Sequence, residues 1–176
     1  KFKDNKIFNS WSLGGQVDYR WKIDAKITET KFMNLAGDLS WKKGSSVNAT
    51  LAEYKEDRLF SGLELNDHIT VPAGYYYMFT NEINLEYDQS KSYTASIDFK
   101  YGDYYGGKIF GVAPSVNYII NRFFRLSIYY EYNHISFPSG YSNNGDAIFK
   151  SNLVSGDFML TLSSKFSVKL LAQFDN

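Results

Sequence analysis

The chain reads as all-β: an antiparallel up-and-down transmembrane β-barrel, with about nine strands visible in a single segment over residues 1–176, part of a larger barrel. Three features lead there. Apolar and polar residues alternate over runs of about a dozen, well beyond the ~5–6 residues of a globular strand and close to the ~9–11 of a tilted membrane-spanning one. Short polar turns at 42–45, 88–92, 121–122 and 163–164 alternate with generally longer connections at 56–73, 102–107 and 136–148, the asymmetry of outer-membrane barrels. Aromatic residues make up 18% of the chain, and on the apolar faces they fall near strand ends. Trp41, Tyr87, Tyr93, Tyr118 and Phe124 lie toward the short turns, and Tyr77, Tyr101, Phe110 and Tyr132 toward the long loops, which predicts two aromatic girdles.

Taken in order, odd positions from Trp11 to Ile27 are mostly apolar while even positions from Ser12 are mostly polar or charged. At ~3.3 Å per residue that run outreaches a bilayer, so either the strand projects beyond it or a turn lies within 22–26. Met33, Leu35, Gly37, Leu39 and Trp41 form the next apolar face, ended by Lys42-Lys43-Gly44-Ser45, and Val47, Ala49 and Leu51 begin the return. Residues 56–71 break the alternation and read as a long loop closed by Pro72-Ala73-Gly74. Alternation resumes over 75–87, and again over 93–101, where Tyr93, Ala95, Ile97, Phe99 and Tyr101 face away from Thr94, Ser96, Asp98 and Lys100. The segment 102–106 then reads as a connection. Residues 107–137 form the central hairpin: Phe110 to Ile120 alternate, Asn121-Arg122 reverses the chain, and Phe124, Leu126, Ile128, Tyr130 and Tyr132 continue the apolar wall. Beyond it, 136–148 is rich in Ser, Gly and Asn and reads as a loop, and two last strands carry Val154, Phe158, Leu160, Leu162 and then Phe166, Val168, Leu170, Ala172, Phe174.

Composition narrows the function. With 19 basic and 19 acidic residues the chain has no net charge, so nothing electrostatic points to nucleic acid. Cysteine is absent, which removes thiolate metal sites and is compatible with an oxidising envelope compartment. No apolar run approaches the ~20 residues of a membrane helix, so a membrane role falls to strands.

Several short motifs also occur in a suggestive order: Val71-Pro72-Ala73-Gly74-Tyr75-Tyr76, Tyr101-Gly102-Asp103-Tyr104-Tyr105-Gly106-Gly107, Phe137-Pro138-Ser139-Gly140 and Gln173-Phe174-Asp175-Asn176. Across roughly 38–176 the chain resembles the C-terminal outer-membrane barrel of Bacteroidota-type bacterial proteins that carry a family 9 carbohydrate-binding-like domain ahead of a barrel of uncharacterised function. The resemblance implies an interior fragment with a sugar-binding-like domain upstream and further strands downstream. It brings no catalytic residues with it.

Acids on the polar faces suggest paired carboxylates for glycoside hydrolysis, but they are interleaved with bases, as in a lumen wall laced by ion pairs. The expected lumen-facing polar residues are Glu82, Glu86, Asp98, Lys100, Arg125 and Glu131, within a wall of eight acids (adding Asp18, Asp24, Asp38, Asp157) and six bases (adding Arg20, Lys22, Lys108, Lys169). His68 and His134 lack a metal-ligand pattern, no nucleophile motif occurs, and no cofactor is expected. Asp103, Tyr104 and Tyr105 are the candidate loop contacts for a ligand such as a sugar, a plain loop being the simpler reading. The expectation is a non-enzymatic segment in the bacterial outer membrane, with the lipid bilayer as partner alongside carbohydrate or another envelope protein. It would serve as membrane anchor or solute passage. The alternative is a soluble, lipocalin-like barrel whose apolar face lines a pocket.

Overall fold

The computed structural model describes residues 6–22, 27–87, 91–143, 145, 147–163 and 165–176. Nine long strands form one antiparallel sheet: β1 (Phe8–Lys22), β2 (Ile27–Trp41), β3 (Ser46–Leu59), β6 (Gly74–Tyr87), β7 (Tyr93–Tyr104), β8 (Gly107–Ile119), β9 (Phe124–Ser136), β10 (Ile148–Ser163) and β11 (Phe166–Asp175). A small second sheet pairs β4 (Leu63–Glu64) with β5 (Thr70–Val71). Each long strand hydrogen-bonds to its sequence neighbours in the order β1-β2-β3-β6-β7-β8-β9-β10-β11, so the chain is a meander. β1 and β11 are its two edges, and the sheet is not closed into a barrel.

The expected strands are present, with corrected ends. β1 pairs antiparallel with β2 through Lys22↔Ile27, so the long first run does contain a reversal. The segment 56–71 is not simply a loop: β3 continues to Leu59, and β4 and β5 follow. Residues 102–107 are not a long connection either, because β7 runs to Tyr104 and β8 starts at Gly107. Tyr105 (φ 44°) and Gly106 (φ 82°) make the two-residue reversal, and positive φ at both central positions matches the right-handed twist of the flanking strands. Gly102 stays in the strand for a steric reason: a Cβ there would lie 2.2 Å from the Phe79 carbonyl oxygen. The central reversal, expected to take two residues, takes four, 120–123, with the Asn121 side chain accepting from the backbone N–H groups of Phe123 and Phe124. Among the described residues of 136–148 only the ends belong to long strands, and Ser139–Tyr141 form a 3₁₀ turn. The turn expected at 88–92 falls largely outside the described residues, as does Ser164.

A period of two gives this sheet an apolar face and a polar face. Register places Ile83, Leu85, Phe99, Phe110, Val112, Val116, Ile128 and Val154 together on the first. The apolar face is also the exposed one, with Val17 75% and Leu170 65% accessible. A bulge at residues 51–52 of β3 shifts the parity, so that Tyr54, Glu56 and Arg58 share the outer face with Phe79, Tyr77 and Tyr75 while Glu53, Lys55 and Asp57 turn inward. The buried hydrophobic cluster is small and sits at the end of the polar face nearest the long loops. Ile69 and Val71 are fully buried there against Tyr76, Met78, Ile109, Ile135, Phe137 and Ala147. Residues 60–73 and the described residues of 137–147 are thus folded onto the inner face, joined by an Ile69↔Ser142 bridge and by Asn143 N–H donating to the His68 carbonyl at 3.0 Å.

Candidate functional site

The polar face is a network of short side chains bonded across strands. On the central rungs Asn48 donates to Asn84 at 3.1 Å and Asn84 donates to Asp98 at 2.6 Å, so one line of amides and carboxylate crosses β3, β6 and β7. One rung toward the loops, Lys100 Nζ meets Glu82 at 2.6 Å. On β9, Tyr129 and Asn133 both donate to Glu131, at 2.6 and 2.7 Å. Nearer the short turns, Ser46 donates to Glu86 at 2.9 Å and the Ser96 and Ser115 hydroxyls lie 2.8 Å apart. Toward the edges, Ser12 donates to Asp38 at 2.6 Å and Lys169 pairs with Asp157 at 2.5 Å. No buried side-chain polar atom among the described residues lacks a partner. Carboxylates are therefore held by amides, hydroxyls and ammonium groups.

Small residues open a trough in the middle of this wall. Ala36, Ala113 and Gly111 line a cavity of about 320 Å³ together with Asp38, Asn84, Glu82, Asp98, Lys100 and Glu131. Lining residues come from β2 across to β9, so the sheet is concave toward its polar side. Gly111 also admits Asn133, whose Oδ1 would be 2.7 Å from an added Cβ.

All six expected inner residues share this face. Glu82, Asp98, Lys100 and Glu131 meet at the trough, Glu86 stands toward the short turns, and Arg125 faces Ile119 and Met159 at the far end of β9. Lys108 was expected among them and is corrected: it has the parity of Phe110, and it pairs with Asp103 on the outer face. Asp24 lies outside the described residues, and of Lys22 only the strand position is described. His68 lies in the segment between β3 and β6 and His134 on β9 across from Phe110, and among the described residues no group of three His, Asp or Glu could hold a metal.

Asp103, Tyr104 and Tyr105 are engaged within the chain. Asp103 accepts from Phe79 N–H at 3.0 Å and from Lys108. The Tyr104 ring meets Tyr105 and Phe137 edge-on, at 5.0 and 6.2 Å between centroids. Tyr105 donates to Asp57 at 2.6 Å, and burial followed by that carboxylate pushes its phenol well above the usual range. Asp57 also accepts from Thr30 at 3.0 Å and pairs with Lys55 at 3.0 Å. This knot under the loops was not foreseen, because the bulge that turns Asp57 inward leaves no mark beyond an interrupted alternation at Leu51-Ala52.

The outer rings cluster at two levels. Toward the short turns Phe8 meets Trp41 at 5.8 Å, Tyr87 stacks on Tyr93 at 5.8 Å, and Phe124 meets Phe158 at 5.9 Å. Toward the loops Tyr54 meets Phe79 at 4.8 Å, and the Arg58 guanidinium lies 4.7 Å over Tyr75. On β6 the span from Tyr77 to Tyr87 is about 33 Å along the strand, or roughly 25 Å along a barrel axis at a ~40° tilt, the height of an outer-membrane apolar band. Comparison with family models, with curated proteins and with solved structures found no match in any of the three.

Proposed function

We propose that the chain is an arc of a bacterial outer-membrane β-barrel that serves as membrane anchor or solute passage for an extracytoplasmic, carbohydrate-related protein. The observation that carries this reading is the inverted polarity of the sheet: bulky apolar side chains stand exposed on the outer face of every long strand, while the concave face holds a satisfied polar network. Among the described residues the exposed large apolar side chains outnumber the buried ones several-fold. In water such a surface far exceeds the few hundred Å² of apolar patch that a soluble monomer carries, whereas in lipid it is the solvated surface. A lipocalin-like barrel would require the opposite facing, with the apolar side inward.

The open edges fit the same reading. Unpaired backbone groups on β1 and β11 are not tolerated in hydrocarbon, so further strands would pair with them in the bilayer. No catalytic role is assigned, because the inner carboxylates are tied to partners along the wall rather than paired across a cleft. The mixed signs on that wall and the loops folded over one end favour an anchor or a plugged passage over a wide pore.

The deciding experiment is detergent dependence of the full-length protein. Monodisperse behaviour in detergent or vesicles, with aggregation when these are withdrawn, is expected. A protein that stays monomeric in plain buffer would overturn the proposal.

A further inference from the structure

The two rims of the sheet differ in charge. In sequence the connections at the short-turn end carry Lys42, Lys43, Lys91, Arg122 and Lys165 against one carboxylate, Asp88. Segment 60–73, at the opposite end, carries Glu64 and Asp67 and no Lys or Arg. The basic rim borders a groove of about 790 Å³. Ile7, Val47, Leu85, Tyr87, Ile97 and Val116 make its lining mainly apolar, Lys6, Trp41, Lys42 and Lys43 border it, and its one carboxylate, Glu86, is held by the Ser46 hydroxyl at 2.9 Å. Lys42 N–H donates to the Ile7 carbonyl at 2.9 Å, which holds Lys6 beside the two turn lysines. Among the described residues none of these three ammonium groups has a carboxylate within ion-pair distance.

We infer that this groove binds an anionic phospholipid, its phosphate against Lys6, Lys42 and Lys43 and an acyl chain along the Leu85, Ile97 and Val116 wall. The inference rests on the membrane reading above and adds the ligand class and the leaflet: the one that meets the short turns. Charge complementarity selects the occupant. Three lysines outnumber the single carboxylate, Glu86, along a mainly apolar groove and match a negative headgroup joined to a hydrocarbon chain, whereas a zwitterionic lipid brings its own cation to the same place. The height is also right. Trp41 and Tyr87 lie at the level where interfacial rings sit among headgroups, and lysine stems reach outward along apolar surface to keep their charge in the polar layer.

The test uses the full-length protein in phosphatidylcholine vesicles containing trace spin-labelled phosphatidylglycerol or spin-labelled phosphatidylcholine, with the motionally restricted fraction measured at low salt. Restricted phosphatidylglycerol should exceed restricted phosphatidylcholine by on the order of fivefold, about what one well-placed lysine contributes. The triple variant Lys6→Gln/Lys42→Gln/Lys43→Gln should bring the ratio close to one, while Lys150→Gln, near the other rim, leaves it unchanged. Equal restriction of the two lipids, or a preference that survives the triple variant, overturns the lipid site while leaving the membrane reading standing. If neither lipid is restricted, the protein is not in the bilayer and both readings fall.

Discussion

Replacing Ile128 by Arg separates a lipid-facing wall from a water-facing one. Ile128 sits in the middle of β9, 50% exposed, between Val116 of β8 and Gly156 of β10. It is four residues from Phe124 and four from Tyr132, so at ~3.3 Å per residue and a ~40° tilt it lies about 10 Å inside each ring level, close to a bilayer midplane. An arginine there should cost about 2–4 kcal/mol in lipid, or roughly 30- to 1,000-fold in the folding equilibrium. The same change on a water-exposed strand face stays within about 0.5 kcal/mol. Asn117→Arg supplies the control. Asn117 lies one strand away on the opposite face, across from Ser127, where the wall is already polar, and its cost should stay near the small surface value. Urea titration of the full-length protein in phosphatidylcholine vesicles reads both variants. A cost for Ile128→Arg no larger than that for Asn117→Arg would refute the assignment of faces.

Three further outcomes are expected. Ile69→Ala empties a fully buried site under the folded-in loops and should destabilise them by about 2–5 kcal/mol, seen as faster hydrogen exchange across β4 and β5 with β8 and β9 unchanged; equal exchange in both proteins would show that the cluster contributes nothing. The raised Tyr105 phenol contributes stability that is fully present below its ordinary pKa near 10 and is lost as pH rises past it. Tyr105→Phe should therefore flatten the alkaline part of the pH–stability profile, and a profile unaltered above pH ~10 would contradict that linkage. In planar bilayers the full-length protein should conduct weakly or not at all, since loops are folded over one end of the polar wall and its carboxylates are tied to donors along it; a large, steady, strongly cation- or anion-selective current would sink the plugged-wall reading.

Much of the sheet was legible because most of the long strands show an unbroken period of two. The faces of β6 to β9 follow directly from that alternation, and Glu82, Asp98, Lys100 and Glu131 meet because they share one parity on neighbouring strands. Three things were not legible. A one-residue bulge at Leu51-Ala52 reverses every later side chain of β3 without changing composition, so Asp57 could not be assigned to the inner face. Leu63, Leu65, Ile69 and Val71 are too few and too interrupted by Asn66, Asp67 and His68 to declare a hairpin, and their burial depends on contacts with distant strands. Gly102 looked like part of a loop because glycine clusters usually mark one. Here it answers a close approach by β6, which only the paired strands reveal.

The bridge between Ile69 and Ser142 acts as a chord. It ties the segment between β3 and β6 to the segment between β9 and β10, while the sheet between them goes the long way round through β7 and β8. An arc of fixed strand spacing, ~4.8 Å per strand, held by a tie of fixed length has its radius set. The same few loop residues that cover one end of the polar wall therefore limit how far that end of the sheet can flatten.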